Sequence, residues 1–200
     1  MVKKQKYKST IKSRPFLYIE TKKLSELLIQ GMNEVELKNK VINENIFQVR
    51  SEDRKCEIAS TILTRLNAVD DYLIEKIVQS DIETSKLIVL YAIMKTDRLF
   101  CEFMNEVFSE KIALLDLKLI DRDFNLFFVG KKEQSETVAN WRDYTFYKLK
   151  QVYIRILCEA GLLKKQKGER EIIQPMLDIE VKEHVHKIGD NHFIENMVGV

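Results

Sequence analysis

The chain has 200 residues, of which 45% are hydrophobic and 32% charged, a composition typical of one globular domain with a full core. Its longest apolar run, Leu87 to Met94, is eight residues long, which is too short for a membrane-spanning helix. The N-terminus is basic but lacks the apolar stretch of a signal peptide, so we expect a cytoplasmic protein.

Helix signals follow one another along the first third of the chain. Pro15 and Gly31 predict the start and the end of a first helix, and Asn33 followed by Glu36 predicts a capping box for a second. A third helix is predicted to begin at Ser51. Its inward face is predicted to comprise Cys56, Ala59, Ile62, Leu63 and Leu66, and its outward face Arg54, Lys55 and Arg65.

The middle of the chain predicts the core of a helical bundle. Ser80 and Glu83 form the pattern of a second capping box, and the helix after them contains the apolar run, which predicts a central helix buried on all sides. Aromatic and methionine side chains at helical spacing are more typical of a core than of a cofactor site. The next helix carries such a stripe, formed by Leu99, Phe100, Phe103, Met104, Val107 and Phe108.

The last third of the chain predicts two more helices and a hairpin. Asp121 is predicted to cap a shorter helix, and Asp143 to begin the last long one. Gly161 is predicted to end that helix in a Schellman motif, with Leu162 folding back on it. Residues 162–176 contain two short apolar edges about a glycine-containing turn, which predicts a small β-hairpin.

These elements together predict an all-α fold, a helical bundle with a small β-hairpin near the C-terminus. Asp178 is predicted to cap a further helix that stops at Gly189. We therefore divide the chain into a basic N-terminal arm at residues 1–14, a helical bundle at residues 15–163, and a C-terminal hairpin with short helices packed on the bundle at residues 164–200.

Charge is unevenly distributed along the chain. The first fourteen residues carry six basic side chains and no acidic one, whereas the remainder carries 27 basic and 31 acidic side chains. Short basic arms bind polyanions because they release counterions condensed on phosphates, so nucleic acid is the first partner to consider. The candidate contacts are Lys3, Lys4, Lys6, Lys8, Lys12 and Arg14 for charge, Tyr7 for stacking, and Ser9 and Thr10 for hydrogen bonds to phosphate.

The alternative for this arm is a solvated leader without a function. Because the arm lacks core-forming residues by its sequence pattern, removal of residues 1–14 is expected to weaken binding without unfolding the bundle.

A second basic cluster lies along the exposed flank of the last long helix and continues just beyond its end. Lys148 and Arg155 are seven residues apart and therefore share a face of the helix. Aromatic residues lie close to them in sequence, and together with the arm they predict a charged track that binds phosphates with little sequence preference. The members of this cluster are Arg142, Lys148, Lys150, Arg155, Lys164 and Lys165.

The sequence contains no pattern of an enzyme site. No glycine-rich phosphate loop, GxSxG elbow or HExxH motif can be found, so we predict neither enzymatic activity nor a cofactor. His184 and His186 would lie on different faces of a helix, which disfavours a metal site. Reduced thiols packed as small hydrophobic groups are predicted at Cys56, Cys101 and Cys158.

The most enzyme-like constellation is Asp97, Arg98, Glu102 and Glu106. Residues 98, 102 and 106 are successive i,i+4 neighbours, so Arg98 can pair with Glu102, and Asp97 in the first turn suits the helix dipole. Helix electrostatics is the favoured interpretation, and catalytic carboxylates are the alternative.

Several stretches of the chain resemble the BrxA family, a small helical component of the bacteriophage exclusion (BREX) systems of bacteria. The order of these blocks, rather than any single motif, carries the resemblance, which spans about residues 7–178. The matching blocks are Glu44 to Ser51, Arg65 with Leu66, Leu87 to Phe103, Lys148 to Gln151, and Glu159 to Leu163.

The resemblance implies an all-α protein whose helical core is similar to the NusB antitermination factor. It further implies a DNA-binding, non-enzymatic member of a phage-defence system, with double-stranded DNA as the partner and other BREX proteins, such as the methyltransferase, as further partners. Two alternatives stay open: a protein-interaction module that docks other defence components, and an RNA-binding helical protein. The family defines no set of DNA contacts that maps onto this chain, so the contacts named above rest on charge.

Overall fold

The computed structural model describes residues 5–164 and 169–198, and it confirms the predicted all-α fold with a small antiparallel sheet. The helices are α1 (Tyr18–Ile29), α2 (Glu34–Asn43), α3 (Glu52–Leu66), α4 (Asp71–Gln79), α5 (Ile82–Thr96), α6 (Arg98–Phe103), α7 (Ser109–Ala113), α8 (Asp121–Gln134), α9 (Glu136–Ala139), α10 (Asp143–Glu159), α11 (Ile179–Lys187) and α12 (Asn191–Val198). A short 3-10 helix spans Thr10–Ser13, and a π-helical turn at Met104–Phe108 joins α6 to α7. Within these ranges no helix is long and apolar enough to span a membrane.

Local capping signals set most of the helix ends. The predicted capping box is present, because Asn33 accepts hydrogen bonds from the Val35 and Glu36 amides while Glu36 accepts one from the Asn33 amide. Gly161 ends α10 with a φ of 87°, and the Leu162 amide donates to the Leu157 carbonyl at 2.8 Å, as a Schellman motif requires.

Two predicted caps are wrong by one or two residues. The cap of α5 is Asp81 rather than Ser80, and it accepts hydrogen bonds from the Glu83 and Thr84 amides at 2.9 Å. Asp121 is the first residue of α8, while Asp123 accepts the hydrogen bond from the Ile120 amide at 2.7 Å. The side chain of Asp121 is thereby left to bind other groups.

Helix α5 lies at the centre of the molecule, as its apolar run predicts. Every residue from Leu87 to Met94 is at most 2% exposed. The aromatic stripe of the following helix is also core: Phe103 stacks on Phe124 with ring centroids 4.9 Å apart, and it meets Tyr153 at 5.3 Å. This stripe therefore holds α6, α8 and α10 together, and Val107 is its one partly exposed member.

The small sheet joins two distant parts of the chain. Strand β1 (Lys118–Leu119) pairs antiparallel with strand β2 (Arg170–Glu171). The predicted hairpin contacts are present beside it, since the Ile173 amide donates to the Leu162 carbonyl and a bridge links Leu163 to Ile172. The predicted turn of that hairpin falls on residues outside those described. Strand β1 was not predicted, because two residues are too few to show an alternating pattern.

Helix α3 buries four of the five residues predicted to face inward, namely Ala59, Ile62, Leu63 and Leu66. Cys56 is exposed, and Cys101 and Cys158 are only partly buried, so the prediction of fully packed thiols is wrong for Cys56. Arg65, which was predicted to face outward, is 4% exposed. Cys56, which was predicted to be buried, thus lies at the surface, and Arg65, which was predicted to face solvent, is buried.

Candidate nucleic-acid interface

The N-terminal segment is docked on the bundle from residue 5 onward. Ile11 is 4% exposed and belongs to the hydrophobic core, while the 3-10 helix that contains it contacts α10. The Arg65 guanidinium donates to the carbonyls of Arg14, Pro15 and Phe16 at 2.8 to 3.1 Å. The prediction that the arm lacks core-forming residues is therefore wrong, and its removal would also remove part of the core.

Tyr7 ties the same segment to helix α6. Its hydroxyl donates to Glu102 at 2.9 Å and accepts from Arg98 at 2.8 Å, while the Arg98 guanidinium lies 3.8 Å from the ring centroid. Burial and the hydrogen bond to Glu102 raise the pKa of Tyr7. The Tyr7 ring thus packs against Arg98, and its stacking on a base stays a prediction.

Lys12 and helix α10 together form a surface depression, which we call the basic groove. It has a volume of about 530 Å³. Its charged lining consists of Lys12, Lys148, Lys150, Arg155 and Arg170, with Asp121 as the acidic member. The structure therefore brings one residue of the predicted arm together with three residues of the predicted α10 cluster.

Ion pairs hold some of the basic side chains of this groove in place, whereas two of its lysines have no carboxylate partner among the described residues. Asp121 accepts from Lys150 at 3.0 Å and pairs with Arg170 at 2.8 Å, and the hydrogen bonds from both lower the pKa of its carboxyl. Arg155 lies 3.8 Å from Glu159. Among the described residues, Lys12 and Lys148 have no carboxylate partner. These two lysines supply the uncompensated positive charge of the groove.

Two exposed tyrosines border the basic groove on α10. Tyr144 and Tyr147 are 66% and 51% exposed, and their rings stack with centroids 6.3 Å apart. The Lys148 ammonium lies 5.3 Å from one ring and 5.8 Å from the other. The Tyr147 hydroxyl accepts a hydrogen bond from Gln151 at 2.8 Å, which holds it at the edge of the groove.

The other predicted contacts do not join this groove. Lys8 and Arg14 line a separate cavity of about 140 Å³ that also contains Arg65 and Asp97. Lys164 pairs with Glu171 at 3.2 Å. Residues exposed or partly exposed outside the groove are Lys6, Ser9, Thr10 and Arg142, whereas Lys3, Lys4 and Lys165 lie outside the described residues.

The alternative enzyme-like constellation forms a structural ion network. Lys131 is 2% exposed and pairs with Glu102 at 2.8 Å and with Glu106. Glu102 also accepts from Arg98 at 2.8 Å. Burial acts to raise the pKa of Glu102, but the hydrogen bonds from its cationic neighbours and Tyr7 outweigh burial and lower it. Asp97 accepts from the Phe100 amide at 2.9 Å and caps α6.

Similar proteins show the family to which the chain belongs. The sequence model of the BrxA family matches residues 5–189. The chain belongs to the BrxA family. A relative from Bacillus cereus (strain H3081.97), named BREX protein BrxA, is 62% identical over 199 residues and covers 100% of both chains. A BREX protein BrxA from Escherichia coli O9:H4 (strain HS) is 22% identical, over 92% of this chain and 86% of its own.

A solved structure has the same fold as this BrxA family member. The crystal structure of an uncharacterized protein from Magnetospirillum magneticum matches it with a TM-score of 0.84 and 20% sequence identity. The match covers 98% of this chain and 100% of that one. The two proteins therefore share the arrangement of their helices although their sequences are only 20% identical.

One basic residue of the groove in this BrxA family member, Arg170, was not among the predicted contacts. Arg170 is 6% exposed and reaches the groove because β2 pairs with β1, which sets it opposite Leu119. Its only signal in the sequence was its place within the hairpin predicted at residues 162–176. A pairing between residues 51 positions apart is not visible in a local pattern.

Replacement of Asp97 by asparagine is expected to change how the stability of this BrxA family member depends on pH. Burial raises the pKa of Asp97 from 3.8 to about 6, so between these values the folded protein holds a proton that the unfolded chain releases. The stability that this proton confers is lost as the pH rises through that window. Relative to wild type, the free energy of unfolding of Asp97→Asn should therefore rise by roughly 2 to 3 kcal/mol between about pH 4 and pH 7.

Urea unfolding of both proteins at several pH values measures this difference. Asparagine retains the oxygen that caps α6, so the helix start is preserved in the variant. A difference that stays constant across the pH range would show that Asp97 has the same pKa in the folded and unfolded states.

Proposed function

We propose that this protein is a non-enzymatic DNA-binding component of a BREX phage-defence system, and that the basic groove holds the phosphate backbone of a DNA duplex. The observation that carries the proposal is the convergence of Lys12, from the N-terminal segment, with Lys148, Lys150 and Arg155 of α10 in one depression. The BREX assignment rests on membership of the BrxA family and on the names of its relatives.

The charges of the groove suit a sequence-independent phosphate contact. Five basic groups and one carboxylate line it, so the lining has a net positive charge that attracts a polyanion. Asp121 fixes Lys150 and Arg170 in position, which lowers the ordering cost of binding. Lys12 and Lys148, without a carboxylate partner in the described part of the chain, are free to displace counterions from phosphates.

Single-stranded RNA is the second candidate ligand, and the two exposed tyrosines favour it. Tyr144 and Tyr147 lie beside Lys148, and aromatic rings next to cations are typical of surfaces that stack unpaired bases. Competition between duplex DNA and single-stranded RNA for a labelled duplex separates the two candidates. Stronger competition by RNA, together with loss of RNA binding in Tyr144→Ala, would favour the second.

Neutralisation of the groove is expected to weaken duplex binding and to reduce its salt dependence. In the variant Lys12→Gln/Lys148→Gln/Arg155→Gln, the affinity for a nonspecific duplex should fall roughly tenfold to hundredfold at about 0.1 M salt. The slope of log affinity against log salt should become shallower by about 0.9 for each phosphate that the variant no longer neutralises. Fluorescence anisotropy across a salt series measures both quantities.

A matched control removes the same number of charges elsewhere. Lys38, Lys182 and Lys187 are exposed, lie on α2 and α11, and do not line the groove. Their combined replacement by glutamine keeps the net charge equal to that of the groove variant. Equal losses of affinity in the two variants would mean that net charge, and not the groove, binds DNA; a wild-type affinity independent of salt would remove the phosphate mechanism altogether.

A further inference from the structure

A second surface of the molecule exposes aliphatic side chains where α7 ends and along α8. We call it the leucine surface and define it by Leu114, Leu115, Leu126 and Val129. The first three are 71%, 80% and 59% exposed. Leu114 and Leu126 line one depression of about 300 Å³, to which Val107 and Phe127 also contribute, and Val129 follows Leu126 by three residues on the exposed face of α8.

The backbone at Leu115 is unusual for a leucine. Leu115 has a φ of 57° and ends α7 in a Schellman motif, with the Asp116 amide donating to the Lys111 carbonyl at 2.9 Å. The corresponding position after α1, α10 and α11 is occupied by Gly31, Gly161 and Gly189, with φ between 82° and 89°. A side chain costs energy in this left-handed conformation, which glycine adopts without strain.

Side-chain packing within the isolated protein offsets little of this cost. A leucine that is 80% exposed packs little against its own core, and it keeps most of its apolar surface in water. Backbone strain and apolar exposure therefore coincide at one residue. Burial of the side chain against another molecule would remove the unfavourable exposure and offset the cost of the backbone conformation.

The charged residues that line this depression indicate the chemistry of a molecule that could cover Leu115. Glu106, Glu110, Asp116 and Asp123 line the same depression. Lys111 in its lining pairs with Asp116 at 2.7 Å and with Asp123 at 3.1 Å, and Glu106 pairs with Lys131, which lies outside the lining. Glu110 has no ion-pair partner within residues 5–164 and 169–198. Two copies of this surface would place carboxylates against carboxylates, which disfavours a symmetric dimer and favours a basic partner.

We propose that the leucine surface docks an amphipathic helix of another protein, with leucine-like anchors along one face and lysine or arginine side chains beside them. The anchors fill the depression between Leu114 and Leu126, and the basic side chains face Glu110 and Asp116. This inference goes beyond DNA binding and does not depend on it, because the leucine surface and the basic groove share no residue.

A designed peptide of this pattern tests the proposal directly. The probe is a labelled helix of roughly 18 residues, about five turns, with leucine at positions i, i+3, i+4 and i+7 and lysine between them. A peptide of the same composition in scrambled order is its control. Saturable binding of the patterned peptide alone, measured by fluorescence anisotropy, is the expected result.

Two single substitutions each remove one exposed leucine of this surface and are expected to leave the fold intact. Leu115→Gly relieves the strained backbone and should raise the Tm by roughly 2 to 4 °C while it weakens peptide binding about tenfold or more. Leu126→Ser should weaken binding to a similar extent. Ile82→Ser, which removes another exposed aliphatic side chain, 62% exposed on α5, should leave binding unchanged.

Three results would overturn the proposal. Equal binding of the scrambled peptide would show that the surface attracts positive charge only. Undiminished binding in Leu115→Gly and Leu126→Ser would exclude this surface as the site. A wild-type dimer in sedimentation that Leu126→Ser dissociates would show that a second copy of the chain, and not a basic partner, covers the leucines.

Discussion

Replacement of Lys131 by methionine is expected to lower the free energy of unfolding by about 3 to 5 kcal/mol. The lysine side chain is 3% exposed and pairs with both Glu102 and Glu106, so its loss leaves two carboxylates facing an apolar side chain. Glu102 keeps its hydrogen bonds from Arg98 and Tyr7, whereas Glu106 loses its one ion-pair partner among the described residues. Urea unfolding at neutral pH measures the effect.

The next residue along the chain provides the control for this prediction. Lys132 pairs with Asp143 at 3.3 Å, but their side chains are 36% and 97% exposed, so Lys132→Met should cost less than about 1 kcal/mol. Addition of Glu106→Gln to Lys131→Met should recover part of the lost stability. Equal costs at Lys131 and Lys132 would contradict a buried network.

Replacement of Arg65 by methionine is expected to cost roughly 2 to 4 kcal/mol of stability and also to weaken the proposed DNA binding. Burial lowers the pKa of Arg65 to about 10, so the guanidinium stays charged at neutral pH, and it donates to three consecutive carbonyls from Arg14 to Phe16. Without these donors the carbonyls are left unsatisfied, and the segment that carries Lys12 loses its anchor on α3. Urea unfolding and duplex binding measure the two effects.

Arg54, a second arginine on α3, provides the control for this prediction. Arg54 also donates to a carbonyl of the N-terminal segment, that of Ser13 at 2.8 Å, but it does so at the surface and pairs with Glu57. Arg54→Met should therefore cost less than about 1 kcal/mol. The loss of DNA affinity in Arg65→Met should not exceed that in Lys12→Gln. A larger loss would place Arg65 itself, rather than Lys12, at the DNA.

Helix ends were predictable wherever the chemistry is local. The capping box at Asn33 and the stop at Gly161 depend on residues within five positions, and both are present. The error at Ser80 is of the same kind, because an adjacent aspartate offers an equally good acceptor and takes the cap at Asp81. Competing local signals thus displaced a boundary by one residue without changing the element.

The burial of charged residues was not predictable from the same patterns. Arg65 and Lys131 lie on helices at positions that a hydropathy pattern assigns to solvent, yet both are buried. Each is compensated by groups from elsewhere in the chain, namely the carbonyls of residues 14–16 and the carboxylates of α6 and its π-helical turn. Burial of a charge depends on such partners, and a local pattern does not contain them.

Local sequence was sufficient for the all-α fold, the buried central helix and the excess of positive charge near the N-terminus and on α10. These features depend on side chains a few positions apart, whose spacing on a helix is fixed by its geometry. The meeting of Lys12 with Lys148, the entry of Arg170 into the groove and the use of Tyr7 as an anchor depended on the tertiary structure. Each of these contacts joins residues that are far apart in the sequence. Such residues come together only when the whole core packs.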